Sequence, residues 1–378
     1  MRDGRWCSAT RQRSNVVAER VLGGRDLRVA PMRIAVDAMG GDYAPEEIVA
    51  GAAEAAATLG VQIVLVGPAP RLSTLLHARK ARDLPIEIVD APEVIEMHES
   101  PAMALRKKRR ASIVVTLEQV RDGKADAAVS AGNTGAAMGA ALLALGRIPA
   151  IDRQAIAAIL PALQKTPAIL IDVGANVDCK PKHLLQFALM GSVYAHRVLG
   201  VPTPRVAILS NGEEATKGND LTIRAADLLR ASGLHFIGNL EARDFWSGHA
   251  EVVVCDGFVG NVALKVGEGV ALAIRQVVRQ ELQGLRGWLL GLYLAPLKWR
   301  GLALWRRLDY REYGGAPLLG VNGVCVIAHG RSNARAIRNA IKVAAEAAER
   351  QIVEPIASEM AVIEERMRTV ALTAGESL

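Results

Sequence analysis

Short apolar runs alternate with alanine-rich segments along most of the chain, and this alternation restricts the fold more than any other feature. The apolar runs are rich in Val, Ile and Leu and are bounded by Gly, Pro or Asp, a pattern typical of buried strands. They lie at 33–37, 61–66, 86–89, 126–129, 168–172, 205–209 and 251–254. The segments between them have helical spacing and include 46–58, 112–121, 182–199, 219–231 and 260–281. Repeated strand–helix units predict an α/β fold with a largely parallel sheet, covered by helices on both faces and binding ligands at the carboxyl ends of its strands.

The two ends of the chain depart from this alternation. Residues 1–31 contain seven arginines and three acidic residues, lack the apolar core of a secretory signal, and are predicted to be a disordered extension. The α/β domain is expected to occupy 32–378 and to finish in a long helix over 333–366 that breaks at Pro355.

The charge distribution bears on the class of partner. The formal net charge is +7, but residues 1–31 and 282–316 each carry +4, so the rest of the chain is nearly neutral. This distribution, without a basic stripe and interleaved aromatic residues, argues against a nucleic-acid partner. The four cysteines are far apart and show no metal-binding spacing, which favours a reduced, cytoplasmic compartment.

The first strand is followed by a polar turn with two adjacent glycines. Asp37 and Asp42 bracket this turn, and Gly40 and Gly41 between them would let a ligand approach the backbone closely. Pro45 and the acidic residues after it suit the first turn of a helix. The turn is a candidate binding loop, although a tight turn alone often has no ligand.

A second candidate loop follows the strand at 126–129. Ser130, Gly132, Asn133 and Thr134 precede a small-residue helix, and backbone N–H groups at a helix start favour an anion. Simple helix capping is the alternative explanation of such a sequence.

A third loop, 172–181, carries Asp172, Asn176, Asp178 and a lysine after a buried strand. Asn176 is a candidate substrate-binding residue. The two acids with Asn176 could also hold a cation, but Asp and Asn favour turns without any ligand, and no histidine completes a transition-metal set. We therefore expect no metal.

The candidate catalytic residues lie in two further loops. Lys217, within 211–219, suits a positive point charge in a cleft, the alternative being a solvated lysine. Asn261 follows the strand at 251–254, near a predicted helix start where it could instead be a cap. Lys265, one turn further on, is a candidate phosphate-binding residue.

Together these five segments resemble the bacterial phosphate acyltransferase family. The similarity runs from about Met32 into the tail and includes 94–97 and 238–244. It implies a two-lobed α/β/α sandwich shared with isopropylmalate dehydrogenases and phosphotransacetylases, and a homodimer. It also implies that Lys217 and Asn261 occupy positions where the family has functional cleft residues.

The resemblance also implies a reaction. The family transfers a fatty acyl group from acyl-carrier protein to inorganic phosphate, and the acyl-phosphate serves phospholipid synthesis. Because phosphate is itself a nucleophile and a thioester has a good leaving group, the reaction needs no enzyme nucleophile and no cofactor, in keeping with the lack of a GxSxG motif. The alternatives are a phosphotransacetylase or decarboxylating dehydrogenase on the same scaffold, and a scaffold protein without activity.

Residues 282–316 are expected to form an amphipathic helical hairpin that touches the membrane surface. Leucines recur at helical spacing, three of the five tryptophans lie here, and basic residues flank them. The predicted membrane contacts are Leu289, Trp299 and Trp305. The uncharged run is too short to cross a bilayer, and no apolar run of the chain approaches the required length of about 20 residues. A helix pair at a dimer interface is the alternative. The resemblance favours peripheral contact with an anionic membrane, where a glycerol-3-phosphate acyltransferase would use the product.

Overall fold

The computed structural model describes residues 31–161, 166–281 and 314–373. From Pro31 onward the chain forms one compact unit. The predicted N-terminal extension up to residue 30 and the part of the predicted hairpin over 282–313, including its three membrane-contact residues, lie outside the described residues.

Eleven strands of the described chain form one sheet. In chain order they are β1 (Arg33–Asp37), β2 (Gln62–Gly67), β3 (Ile86–Asp90), β4 (Ala127–Ser130), β5 (Ala155–Leu160), β6 (Ala168–Ile171), β7 (Val206–Leu209), β8 (Phe236–Leu240), β9 (Val252–Val254), β10 (Ala316–Leu319) and β11 (Val324–Ile327). Their order across the sheet is β3-β2-β1-β4-β11-β10-β5-β6-β9-β7-β8.

The helices connect these strands and cover the sheet. They are α1 (Glu46–Thr58), α2 (Ala69–Ala78), α3 (Pro101–Lys107), α4 (Ser112–Arg121), α5 (Thr134–Leu145), α6 (Pro181–Arg197), α7 (Asp220–Ser232), α8 (Gly257–Glu281), α9 (Ala334–Glu349) and α10 (Val353–Thr373), with a 3₁₀ turn over Ala242–Trp246.

The sheet consists of two parallel halves joined by an antiparallel centre. Strands β3, β2, β1, β4 and β11 pair in parallel, as do β6, β9, β7 and β8. Between the halves, β10 is antiparallel to both β11 and β5, and β5 is antiparallel to β6. The two halves therefore run in opposite directions, and a twist of roughly 20–25° per strand pair permits their carboxyl ends to turn toward a common cleft.

The core lies on both faces of the sheet, which explains the continuous apolar runs. Every residue of β4 and β7 is buried. Helix α6 is buried from His183 to Ala195. Small residues bring helices close together: a Cβ on Gly51 in α1 would overlap the carbonyl oxygen of Ala334 at the start of α9.

All seven predicted strands are present, each within one residue of its expected bounds. Four strands were not expected, namely β5, β8, β10 and β11. The sequence of β5, AIAAIL, is as compatible with a buried helix as with a strand. Strands β10 and β11 have only four residues each, which is too short to show a period.

The prediction of a helix break at Pro355 is wrong. The break falls between α9 and α10, where Gln351 has φ of +48°. Pro355 is the third residue of α10, in a first turn that tolerates proline because its N–H groups have no intrahelical partner.

Candidate active site

A cleft of about 2040 Å³ gathers loops from both halves of the sheet. Asp42, Thr134 and His329 reach it from the first half, and Asn261 and Lys265 from the second. Its volume exceeds the roughly 300–1,000 Å³ of an ordinary small-molecule pocket, so it has room for a long substrate. Its walls include the apolar side chains Leu160, Leu209, Phe245, Trp246, Val262 and Val266.

Asp37, a predicted binding residue, lies behind the first loop. Its carboxylate is 2% exposed. Oδ2 accepts a hydrogen bond from Ser130 Oγ at 2.7 Å, and Oδ1 accepts one from Met39 N at 3.2 Å. Burial raises the pKa of Asp37, and hydrogen bonds from Ser112 and Ser130 act against this rise. Asp37 thus ties the end of β1 to the end of β4.

Gly40 and Gly132 allow the first two loops to touch. A Cβ on Gly40 would lie 2.6 Å from Gly132 N and 2.7 Å from Asp37 Oδ2. Gly132 N also donates to Ser130 Oγ at 3.1 Å. The cavity enclosed here is about 10 Å³, room for at most one water molecule. Its lining includes the predicted residues Asp37, Gly40, Ser130, Gly132 and Asn133.

The side chain of Asn133 caps α5. Its Oδ1 accepts from Ala136 N at 3.1 Å, while Nδ2 donates to the carbonyl oxygens of Met97 and Glu99 at 3.0 and 3.2 Å. The capping alternative is therefore the arrangement observed. Thr134, the next residue, is exposed and lines the cleft at the positive end of the helix dipole.

Asp172 organises the loop after β6. Its buried carboxylate accepts from the backbone N–H groups of Ile156, Gly174, Ala175 and Asn176 at 2.7–3.2 Å, and from Asn176 Nδ2 at 2.9 Å. Asn176 Nδ2 also donates to Gln154 O at 2.7 Å. Burial raises the pKa of Asp172 despite these donors. The side-chain NH₂ group of Asn176, a predicted substrate contact, therefore donates both of its hydrogen bonds within the protein, to Gln154 and Asp172.

Helix α8 starts earlier than expected, at Gly257, and its cap is Asp256. Oδ1 of Asp256 accepts from Phe258 N at 3.0 Å and Val259 N at 2.9 Å. Asn261 is therefore not the cap. A Cβ on Gly260 would overlap the carbonyl oxygen of Asp172, so the first turn of α8 packs directly on the 172–176 loop.

Asn261 and Lys265 stand on one face of α8, one turn apart. Both are exposed and line the cleft. The Asn261 side chain lies over Gly174, with its Cγ 3.9 Å from the position of a Cβ there. Lys265 Nζ pairs with Glu268 Oε2 at 2.9 Å. Thr134 and Asn261 both line this cleft.

Lys217 lies beside the cleft-lining stretch of its loop. Ser210, Asn211, Gly218 and Asn219 line the cleft, whereas Lys217 is exposed next to them. Its aliphatic stem covers Gly212. Asn239 Nδ2 holds the loop by donating to Glu214 O at 2.8 Å and, more weakly, to the carbonyl of Lys217 at 3.3 Å. Within the described residues Lys217 Nζ has no ion-pair partner.

The remaining predicted residues also belong to the first half. Gly41 has φ of +113°, which favours glycine, and packs on the carbonyl of Gly330. Asp42 N donates to that carbonyl at 2.7 Å.

Sequence reasoning missed His329, because a single histidine after a short unpredicted strand carries no pattern. Its place next to the glycine loop depends on β11 pairing with β4.

The described cysteines are poor nucleophiles. Burial raises the pKa of Cys179 to about 12 and that of Cys325 to about 12, and raises the pKa of buried Cys255 as well. Because the thiolate is the reactive form, these groups are held as unreactive thiols at neutral pH. In the described ranges no cluster of three or more His, Cys, Asp or Glu residues has the geometry of a metal site.

By length and composition α8 could cross a membrane over Gly257–Val278, contrary to the expectation that no apolar run is long enough. No other helix among the described residues has this property. The helix is nevertheless part of the cleft, since Lys265, Glu268 and Arg275 line it.

Comparison with known proteins identifies the family. A family model described as a fatty acid synthesis protein matches residues 32–355. A phosphate acyltransferase from Pelotomaculum thermopropionicum is 53% identical over 335 residues, covering 88% of this chain and 96% of that protein. The chain belongs to the phosphate acyltransferase family. Another phosphate acyltransferase, from Heliobacterium modesticaldum, is 55% identical over 326 residues, or 86% of this chain and 96% of that protein. The family resemblance is thus confirmed, and the protein is an acyltransferase.

Solved structures confirm the fold class. A phosphotransacetylase from Streptococcus pyogenes matches with a TM-score of 0.59 and 16% identity, covering 84% of this chain and 94% of that one. The EutD phosphotransacetylase from Staphylococcus aureus matches with a TM-score of 0.54 and 17% identity over the same shares. At such low identity the likeness shows the fold alone, which is the expected α/β sandwich.

Proposed function

We propose that this phosphate acyltransferase transfers a fatty acyl group from acyl-[acyl-carrier protein] to inorganic phosphate, releasing acyl-phosphate and free carrier protein. The proposal is supported mainly by the cleft, which combines polar side chains with apolar walls. Its lining includes Thr134, Asn261 and Lys265, which come from both halves of the sheet, together with many apolar side chains. A phosphate and a thioester carbonyl need the polar groups, while a fatty acyl chain needs the apolar walls.

In the proposed reaction a phosphate oxygen attacks the thioester carbonyl carbon. The new C–O bond forms while the carbonyl electron pair moves to oxygen, and the C–S bond then breaks. The proton of hydrogen phosphate ends on the carrier thiol, so charge and atoms balance. Asn261 donates to the developing oxyanion, and Lys217 and Lys265 supply positive charge to phosphate. The raised thiol pKa values agree with direct attack and no acyl-enzyme intermediate.

We further propose a homodimer that contacts the cytoplasmic face of the cell membrane. Val262, Val266, Val270, Ile274 and Val277 form an exposed apolar stripe along α8, and the first four of them also line the cleft. The described residues of one protomer leave this stripe uncovered. Together with the amphipathic sequence of 282–316, this stripe suits a partner protomer or an anionic lipid surface. There a membrane acyltransferase acting on glycerol 3-phosphate would consume the product.

The activity is tested with the purified chain, acyl-carrier protein thioester and inorganic phosphate. Acyl-phosphate labelled from radioactive inorganic phosphate is expected to form in step with free carrier thiol. The matching coenzyme A thioester is the control donor. Labelled acyl-phosphate from the coenzyme A donor alone would contradict the carrier-protein assignment, and an isolated acyl-enzyme would contradict direct attack.

Membrane contact is tested by co-sedimentation with anionic vesicles. Leu289→Glu and Trp305→Glu are expected to weaken pelleting, whereas Leu143→Glu, which alters an exposed leucine of α5, is the matched control. If the hairpin variants pellet like the control while remaining dimeric and active, the membrane assignment is wrong.

A further inference from the structure

The longest run of like charge in the chain is basic and extends from Arg106 to Arg110, with the sequence RKKRR. Its first two residues form the last turn of α3, and the other three lie in the connection to α4. Neighbouring positive charges repel one another unless acidic groups neutralise them. Among the described residues, acidic partners neutralise only part of this run.

Lys108 and Arg110 attach the run to the segment before α3. Lys108 Nζ donates to Glu99 Oε2 and to the carbonyl oxygen of Val94, both at 2.6 Å. Arg110 Nη2 pairs with Asp90 Oδ2, at the end of β3, at 3.2 Å. These two basic residues therefore hold the connection in place, and their charges are paired within the protein.

Arg106, Lys107 and Arg109 are exposed and direct the remaining positive charge of the run toward solvent. Within the described residues none of these three side chains has an ion-pair partner. Because Lys108 and Arg110 fix the backbone on either side of Arg109, the exposed charges occupy defined positions. A basic surface of this kind attracts an acidic partner from a distance and steers its association.

The same surface includes an apolar side chain. Met103 is exposed and precedes Arg106 and Lys107 by three and four residues, so the three side chains share one face of α3. The adjacent residues Ala104 and Leu105 are buried. Methionine and arginine are enriched in protein–protein interfaces, and complementary charge fixes the orientation of a partner. The combination therefore favours a protein partner with an acidic surface.

Helix α3 packs tightly against α5, whose first residue lines the cleft. A Cβ on Gly135 would lie 2.7 Å from Pro101 Cγ, and one on Gly139 would lie 2.6 Å from Leu105 Cδ1. Since both helices advance by four residues between these contacts, they run side by side in the same direction. Lys107 is six residues beyond Pro101, which places it about 9 Å further along α3, away from the start of α5.

The basic run is also connected to the cleft through the loop before α3. Met97 lines the cleft, and its carbonyl oxygen accepts from Asn133 Nδ2 at 3.0 Å. Glu99, two residues later, is the ion-pair partner of Lys108. The exposed basic surface is therefore attached to the same loop that forms one edge of the cleft.

We propose that Met103, Arg106, Lys107 and Arg109 form a docking surface for an acidic face of the carrier protein that brings the acyl group. The inference rests on the proposed function, because a carrier protein must dock beside the cleft in order to present its thioester there. Anionic lipid shares the preference for basic residues. The lipid contact proposed above, however, involves α8, which follows β9 in the other half of the sheet.

A double charge reversal tests the docking surface kinetically. Lys107→Glu combined with Arg109→Glu is expected to raise KM for acyl-[acyl-carrier protein] about tenfold or more, and to leave kcat and the KM for phosphate unchanged. The matched control is Arg82→Glu, which reverses an exposed arginine just before β3, at the amino-terminal edge of the parallel strands. An unchanged carrier KM in the folded double variant would overturn the proposal, and so would an equal rise in the control.

Carrier binding has a test that does not depend on turnover. In fluorescence anisotropy, labelled holo-acyl-carrier protein should bind wild type with a Kd that rises as the salt concentration increases from about 50 to 300 mM. The double variant should bind more weakly and with a smaller salt dependence, whereas Met103→Ala should bind more weakly with the salt dependence of wild type. A wild type that does not bind, or a double variant with the wild-type Kd, would contradict the docking surface.

Two further outcomes separate docking from the other proposals. If wild type makes no acyl-phosphate but binds the carrier protein through these residues, the proposed function fails and the docking surface stands. If the double variant binds the carrier protein like wild type but no longer pellets with anionic vesicles, the surface is a lipid contact and the docking proposal is wrong.

Discussion

Two buried aspartates, one in each half of the sheet, show how differently similar loops are held. Asp37 and Asp172 each end or follow a strand, and each is at most 2% exposed. Asp37 binds mainly side-chain hydroxyls, those of Ser112 and Ser130, and thereby joins neighbouring strands. Asp172 binds five N–H groups, four of them backbone, and shapes the loop beneath α8. In both halves the buried aspartate organises a loop, and other side chains, such as Thr134 and Asn261, line the cleft.

Asn261 lines the cleft and Asp256 caps the same helix, so we expect substitution of the first to lower activity and of the second to lower stability. Asn261→Ala should lower turnover about 100-fold or more, because it removes a donor worth about 3 kcal/mol in a transition state. It should leave stability unchanged. Asp256→Ala should instead cost about 1 kcal/mol of stability through the lost cap. Steady-state rates and thermal melts of both variants check this, and a large stability loss in Asn261→Ala would make it a structural residue.

Because α8 approaches the Asp172 loop closely at one glycine only, we expect alanine substitutions at two glycines of this helix to change protein stability in opposite directions. Gly260→Ala should destabilise the protein by about 3 kcal/mol or more, because its Cβ would overlap the carbonyl of Asp172. In Gly269→Ala the new Cβ meets no atom of the described residues within 4 Å, and the change should stabilise the protein by about 0.5–1 kcal/mol. Denaturant unfolding measures both, and a neutral Gly260→Ala would show that α8 does not pack on this loop.

The two aspartates themselves should respond unequally to amide replacement. Asp172→Asn places an NH₂ group among N–H donors and should cost about 2–3 kcal/mol. Asp37→Asn should cost under about 1 kcal/mol, because the hydroxyls of Ser112 and Ser130 can rotate to accept. Equal losses of unfolding free energy would mean that the two loops are held in the same way.

The smallest effect is a pH dependence from Asp37. Burial raises its folded pKa above the unfolded value of 3.8. Between those values the folded state binds more protons than the unfolded state, so the unfolding free energy contributed by Asp37 falls as pH rises. Wild type should therefore lose stability relative to Asp37→Asn over this interval. The opposite slope in chemical denaturation would show that the hydrogen bonds outweigh burial.

The strands that sequence predicted and those that it missed differ in a physical way. β1 and β7 are apolar on both faces and bounded by polar or turn residues, so the run itself is diagnostic. β5 is alanine-rich and could equally be helical, and β10 contains a proline that normally disfavours a strand.

Site residues were predictable as loops but not as individual contacts. Asn133 and Asn176 have side chains that suit a ligand as well as a cap or turn, and only the structure shows both amides committed to the backbone. Asn261 was ambiguous until Asp256 proved to be the cap. The pair of Gly257 and Gly260 was a readable signal of close packing that the sequence reasoning did not use.

We expect phosphate to contact exposed polar side chains of the cleft and not the buried acids Asp37 and Asp172. A crystal structure with inorganic phosphate tests this most directly. We expect phosphate oxygens within about 3 Å of Lys265 Nζ or Lys217 Nζ, in the cleft that Asn261 also lines. Phosphate bound instead against Asp37 and Ser130, or outside the cleft, would contradict it.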